Sequence, residues 1–590
     1  DAVLASYKRP DAGVTVACNS FFTAMIKLDE RRRTRHMDAF WKGVMELCLK
    51  RLAESEDIAE DDEHSGSSIL LSVLDTMTAV NRVYAEATAE VVKGFIAQYI
   101  ELPAEEKKIA ALIAFESMLE MPKSESLLAF VNSGFYGVLN FLQNGSPAIR
   151  RSANRLLMKL IRQMPEIFFA DANFHKAVKI LLRVMEPSAE GEEAVHFQYS
   201  AAVMLSELAG SARALPAGLA LLRSVTDQLF DLICNAVLAS DSLTVIDSYF
   251  SVVFDFLQRV VDPKYLGDYL LSFVKYLRSL REQPHKHKLY IYEFLFINLT
   301  VIVTQVRKAG VRFFAHSPQD PAAFLRELYQ TVAELFGQLG KVVAEGLMLL
   351  ATIISQDPQW GRAQLPEFLP RYVFPALQDY QATDLFKAAA EALSLCCKAF
   401  EAEVEPFLAE IYPYFVSLLA HDLVQRELKI TLFFVLSDFV LHCQQISRAH
   451  LTEVLRLAEL ALDAVVHFQA SEQEDLQEYA EVFKDALVDF YLCLVHGLYA
   501  SFPECEPPIE LSMQKVFEFV RKTNTTELNP TIAYQNSCLG LLVDFYAKKK
   551  SPQLVNLELV GALFRSLQKH ANYADVGSTL DYARKHFSSL

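Results

Sequence analysis

Apolar side chains recur every three to four positions along most of the chain, the spacing of amphipathic helices. From Lys107 to Met121 and from Arg150 to Met164 they mark one helical face, with Ile113 matching Leu156 and Met118 matching Ile161 at an offset of 43. Both helices open on paired basic residues and end on Met-Pro. The same offset relates Ala392-Leu-Ser394 to Val435-Leu-Ser437, and a further helix ends in the similar Leu542-Val-Asp544. Between such helices lie others of equal length, for example Pro406 to Leu419, which supplies the first member of a pair. One pair has too little apolar surface to fold alone, so neighbours must stack. No β-alternation of useful length interrupts the pattern.

These spacings predict an all-α fold, a HEAT-repeat superhelical solenoid of the right-handed, armadillo-like kind. Each unit is roughly 40 residues long, and residues 1–590 are expected to form a single solenoid of roughly 13 helix pairs. Short turns such as Gln143 to Pro147 and His421-Asp422 join most helices. Longer loops are expected at Glu54 to Ser68, Glu186 to Glu193, Lys308 to Pro321, Ser501 to Pro508 and Lys522 to Pro530, where charge, Gly or Pro replaces the apolar period.

Composition agrees. Gly and Pro number only 20 and 22 among 590 residues, while apolar residues make up 52%, so turns are few and helices many. Fifty-six basic against 73 acidic residues leave a formal charge of −17, which disfavours nucleic acid and anionic membranes and favours basic polypeptide partners. The nine cysteines are scattered through apolar stretches with no CxxC pair, the usage of buried thiols in a reducing compartment. The longest apolar run, Leu289 to Val306, contains Glu293, Asn298 and Gln305 and reads as a buried core helix, with no membrane insertion.

No phosphate-binding loop, nucleophile elbow or zinc spacing occurs, so catalytic residues, metal sites and cofactors are all expected to be none. His285-Lys-His287 has no Cys or carboxylate close by and reads as a solvated loop. Two acidic features remain. Glu54 to Glu63 packs seven carboxylates into ten residues, either a solvated run or a basic-surface capture device. From Glu472 to Asp489, Glu474, Asp475, Glu478, Glu481, Asp485 and Asp489 recur at helical spacing beside an apolar stripe of Tyr479, Phe483, Leu487 and Phe490.

Glu345 to Gly497 resembles the carboxy-terminal repeats of importin-β, the receptor that carries cargo through nuclear pores. The resemblance rests on Ala376-Leu-Gln-Asp-Tyr380 and the Lys387-Ala-Ala-Ala-Glu-Ala-Leu helix, on Lys429 to Asp438, and on Glu478-Tyr479 through Val495-His-Gly-Leu498, in the family's order. Upstream, Arg150 to Glu166 and Ser206-Glu-Leu-Ala209 are similar to earlier repeats, and Glu54 to Glu63 lies where the family has its acidic loop.

The resemblance implies three partners: importin-α or basic cargo proteins, Ran-GTP, and phenylalanine-glycine nucleoporins. It implies a monomer working in cytoplasm and nucleus and at pores of the nuclear envelope. Glu56, Asp57, Glu60, Asp61, Asp62 and Glu63 become a Ran-responsive loop. Glu207, Glu391, Asp438, Glu481, Asp485 and Asp489 become candidates for gripping a basic segment through charge-assisted pairs, with Tyr582 a further candidate where the family commonly has Trp. The departures are aromatic. Trp41 and Trp360 are the only tryptophans, and Arg155 and Val203 stand where the family presents tryptophans to its adaptor. The family's first third, with its principal Ran site, has no counterpart after Asp1. A transportin-like receptor that binds cargo directly and a structural HEAT scaffold, such as a phosphatase regulatory subunit, remain as alternatives.

Overall fold

The computed structural model describes residues 6–7, 12–29, 37–54, 69–186, 191–309, 320–525, 528, 530–549 and 557–587, and among these no strand occurs. The acidic run after Glu54, with all six residues of the expected Ran-responsive loop, lies outside the described residues. The chain forms two compact units, Asp1–Leu266 with Arg278–Ile291 and Gly267–Leu277 with Tyr292–Leu590.

The first unit contains α1 (Ala12–Asp29), α2 (Asp38–Glu54), α3 (Ile69–Tyr99), α4 (Glu105–Met118) and α5 (Glu125–Asn144). It continues with α6 (Pro147–Gln163), α7 (Asp171–Met185), α8 (Glu192–Ala212), α9 (Pro216–Ala239) and α10 (Leu243–Arg259). Helices α3, α4, α6, α8 and α10 pack in sequence as one row, and α5, α7 and α9 form a second row against it. Ile113, Met118, Leu156 and Ile161, matched by the 43-residue offset, all lie in the core.

Helices α11 (Leu266–Glu282) and α12 (Lys288–Ala309) contribute to both units. The second unit goes on with α13 (Pro321–Leu339), α14 (Ala344–Gln356), α15 (Pro358–Phe368), α16 (Phe374–Gln378), α17 (Thr383–Phe400) and α18 (Glu405–Ala420). Next come α19 (Arg426–His442), α20 (Gln444–Gln469), α21 (Glu474–Leu494) and α22 (Glu506–Thr523). The last are α23 (Ile532–Lys549), α24 (Leu557–Gln568) and α25 (Ala574–His586). Here α14, α17, α19, α21, α23 and α25 make one row, and α18, α20 and α22 the other.

Local chemistry sets the helix starts. Ser124, Ser146 and Ser242 cap α5, α6 and α10, each side chain accepting a backbone N–H of the first turn. Proline opens α6, α9, α13 and α15, where its missing N–H costs no helical bond. Pro507 and Pro508 do the same for α22, so the loop expected at Ser501 to Pro508 is a short 3-10 turn running straight into a helix. Pro366, Pro370 and Pro375 supply no N–H to the ladder, and between α15 and α16 the chain widens into a π turn, Leu369–Val373. A second π turn, Val495–Tyr499, follows α21. There Gly497 lies so close to α19 that a Cβ would overlap the Val440 carbonyl oxygen.

The long apolar run forms α12, and Ile291, Leu295, Phe296, Leu299, Ile302 and Val303 are fully buried in it. Asn298 is buried too and turns its Nδ2 back on the Phe294 carbonyl at 2.9 Å. No described helix is long and apolar enough to cross a membrane. His285 and His287 are not simply solvated: their Nε2 atoms lie 3.2 and 3.0 Å from the Ser240 and Asp241 carbonyl oxygens of the α9–α10 turn. Seven cysteines are buried, Cys234 and Cys493 are half-buried, and none of the nine forms a disulfide.

Candidate functional site

Four consecutive row helices of the second unit, α14, α17, α19 and α21, enclose a groove of about 1100 Å³. The period that buries Phe433, Leu487 and Phe490 against neighbouring helices leaves the opposite faces of α19 and α21 open. Phe434 and Val482 lie on those faces, 43% and 53% exposed, and with Ile430 they form an apolar wall. Around it stand Glu391 on α17, Glu427 and Asp438 on α19, and Asp475, Glu478 and Asp489 on α21. Lys387 and Lys398 are the only cations of the lining.

The carboxylates differ in how far the protein already neutralises them. Asp438 is held by Lys398 Nζ at 3.0 Å and accepts from Ser394 Oγ at 2.5 Å. Asp475 lies 3.7 Å from Arg426. Glu391, Glu427, Glu478 and Asp489 form no ion pair among the described residues, so their charge is directed into the groove. Burial is the main cause that lifts the Asp489 carboxyl above the ordinary aspartate range. It lifts Asp485 as well, where Asp489 and Glu481 add repulsion and Lys484 opposes it.

The six residues expected to grip a basic segment therefore separate. Glu391, Asp438 and Asp489 meet in the groove. Asp485, one turn before Asp489, does not line it, and its charge acts on Tyr534 and Cys538 of α23. Glu481 pairs with Lys484 and accepts from Gln469 Nε2 of α20 at 2.9 Å. Lys484 is 1% exposed and lies over the Tyr534 ring at 4.5 Å from the centroid. Tyr582 is at α25, its phenol raised by burial and by a hydrogen bond with Asp544, the residue that also meets His496 Nε2 at 3.1 Å.

Glu207 belongs to the first unit and is already occupied. Arg151, Arg155, Lys159 and Arg162 form a basic stripe along α6, and each meets an acid on a neighbouring helix or, for Lys159, just past its end. Arg151 reaches Glu193 at 3.4 Å and Arg162 reaches Glu207 at 2.5 Å, both on α8. Arg155 reaches Glu116 at 2.6 Å on α4, and Lys159 reaches Glu120 at 3.2 Å just beyond it. This row face is a ladder of four closed ion pairs. Arg155, which stands where importin-β presents a tryptophan, is a rung of it. Val203 is half-buried one turn before Glu207 on α8.

Sequence reasoning missed Glu427, Phe434 and Val482. A signal was present in Phe433-Phe434: adjacent positions on a helix diverge by about 100°, so two consecutive large aromatics cannot both face one core.

Stacked helical hairpins that carry an apolar wall edged by carboxylates, four of the six without an ion pair among the described residues, make the architecture of a HEAT-repeat solenoid. Residues 358–568 match the family model of importin subunit beta-1-like TPR repeats. Importin β crystallised in an ammonium sulfate condition superposes with a TM-score of 0.75 at 13% identity, covering 99% of this chain and 68% of that one. The Kap95:Nup1 complex gives 0.69 at 15% identity with the same coverage, and Kap95p, the yeast importin-β, in a study of its binding to RanGDP gives 0.58 at 15%, again with 99% and 68% covered. No curated protein matches the sequence. The chain has the importin-β fold, and residues 358–568 are similar in sequence to the importin-β repeats.

Proposed function

We propose that this chain is a nuclear transport receptor that holds the basic segment of importin-α, or a basic cargo protein, in the groove between α14 and α21. The carrying observation is the groove's composition: six carboxylates against two lysines around the wall of Ile430, Phe434 and Val482, inside the importin-β-like stretch. A basic amphipathic helix fits it, with apolar residues on the wall and Arg or Lys over Glu391, Glu427, Glu478 and Asp489. The receptor docks on phenylalanine-glycine nucleoporins, releases cargo on binding Ran-GTP, and shuttles between cytoplasm and nucleus without catalysing a reaction. Kap95 complexes with Nup1 and with RanGDP among the similar folds support those partners.

Titration of a labelled amino-terminal importin-α segment is the test. Salt-sensitive binding that Glu391→Lys with Asp489→Lys weakens on the order of tenfold is expected. Binding indifferent to salt and to those reversals would sink the reading. The ladder on α6 favours a second reading, a transportin-like receptor: with Arg155 and Glu207 paired, the first unit offers no adaptor-stacking face there. Cargo that is retained equally with and without importin-α in pull-downs would select it.

A further inference from the structure

On the second row of the first unit, helices α7 and α9 border a groove of about 420 Å³ that plays no part in the reading above. Val178 and Leu182 of α7 and Val225 of α9 give it an apolar floor. Its α7 rim is basic: His175, Lys179 and Arg183 follow one another at four-residue intervals on the exposed side of the helix. Asp171 lies 3.4 Å from His175, whereas Lys179 and Arg183 form no ion pair among the described residues. Glu186 is the only acid in the lining. In a chain of formal charge −17, a cleft with three basic groups and one acid runs against the average field.

We infer that this α7–α9 groove docks an acidic segment of a partner protein that carries one apolar side chain. Lys179 and Arg183 are about 6 Å apart along the helix axis. Carboxylates two residues apart on an extended chain are separated by about 6.6 Å, so an acid-apolar-acid triplet sets both acids against these cations. The residue between them faces the other way, towards Val225 and the floor. Charge selects the segment and speeds encounter, and the apolar anchor holds it.

The full chain is titrated with a fluorescein-labelled peptide of Glu and Asp flanking a single Phe. Two further peptides keep the Phe and replace the acids by Ser and Gln, or by Lys. The acidic peptide should bind at one per chain and weaken several-fold between low and physiological salt, as exposed pairs do. Lys179→Glu with Arg183→Glu should cost on the order of tenfold, Val225→Asp should remove binding, and unchanged melting curves show that these exposed or half-exposed changes leave the fold intact. Saturating basic peptide, or Glu391→Lys in the other groove, should leave the acidic peptide bound, so this outcome is separate from that of the proposed function. Equal binding of the neutral peptide, indifference to the double reversal, or no binding at all overturns the inference.

Discussion

Arg155 donates from Nε to Glu116, a carboxylate only 7% exposed, so the pair is held where water cannot take over if one partner is lost. Removing one member of such a pair costs about 3 kcal/mol or more, whereas replacing both by apolar groups is far milder. Arg155→Met should therefore lower the melting temperature markedly, and adding Glu116→Leu should restore most of it. Equal melting of the single and double variants would show the pair to be inert. Asp489 carries the opposite lesson. Burial raises its carboxyl in the folded state, so its contribution is favourable below the unfolded aspartate value and is lost as pH rises through the raised folded one. Asp489→Asn is expected to melt higher than the parent at neutral pH, with the gap closing in acid, and yet to bind a basic segment less well. Basic-segment affinity should accordingly strengthen as pH rises through the folded carboxyl's range.

At the scale of elements, backbone approach decides what the helices tolerate. Gly497 lies in the π turn after α21 against the backbone of Val440, which cannot move aside as a side chain would. Gly497→Ala should cost about 1–3 kcal/mol, typical of overpacking, and appear as a lower urea midpoint. Gly43, where an added methyl group would meet nothing within 4 Å, should accept alanine without loss and serves as the control. The helices themselves were legible beforehand because 3.6-residue periodicity is a local property: Ile113 and Leu156 declare their faces within one turn on either side. Pairing was not. Whether Glu207 meets a ligand or Arg162 depends on stacking between residues 45 apart in sequence, and no window of the chain carries that register. Asp485 and Asp489 looked equivalent on one acidic stripe, but a groove is bounded by neighbours, and only Asp489 has α17 and α19 across from it. Phe434 and Val482 do not stand out in the sequence, because hydrophobicity alone cannot tell a buried face from an open apolar wall.

For the whole molecule, charge acts at a distance that contacts do not describe. The formal charge of −17 should draw a basic segment towards the chain from beyond contact range. Stopped-flow association of such a segment should slow on the order of tenfold as salt rises from low to a few hundred millimolar, with dissociation changing much less. The acidic peptide proposed for the α7–α9 groove has to approach against that long-range field, so its association should respond to salt more weakly.

The ladder on α6 also bears on how the helices of its row can move. Glu116 and Glu120 are spaced four residues apart, as are Arg155 and Lys159. Sliding α6 along α4 by one turn, about 5.4 Å, would let one cation take its neighbour's acid but strand the other cation, while Glu120 is also held by Arg82 at 3.0 Å. On the α8 side the intervals are unequal, 11 residues between Arg151 and Arg162 and 14 between Glu193 and Glu207, so the same slip would not restore both pairs there. The two scales act as a vernier that comes into coincidence at one setting. Axial slip of α6 breaks pairs on both sides at once, so the ladder favours a single register of α6 against its two neighbours.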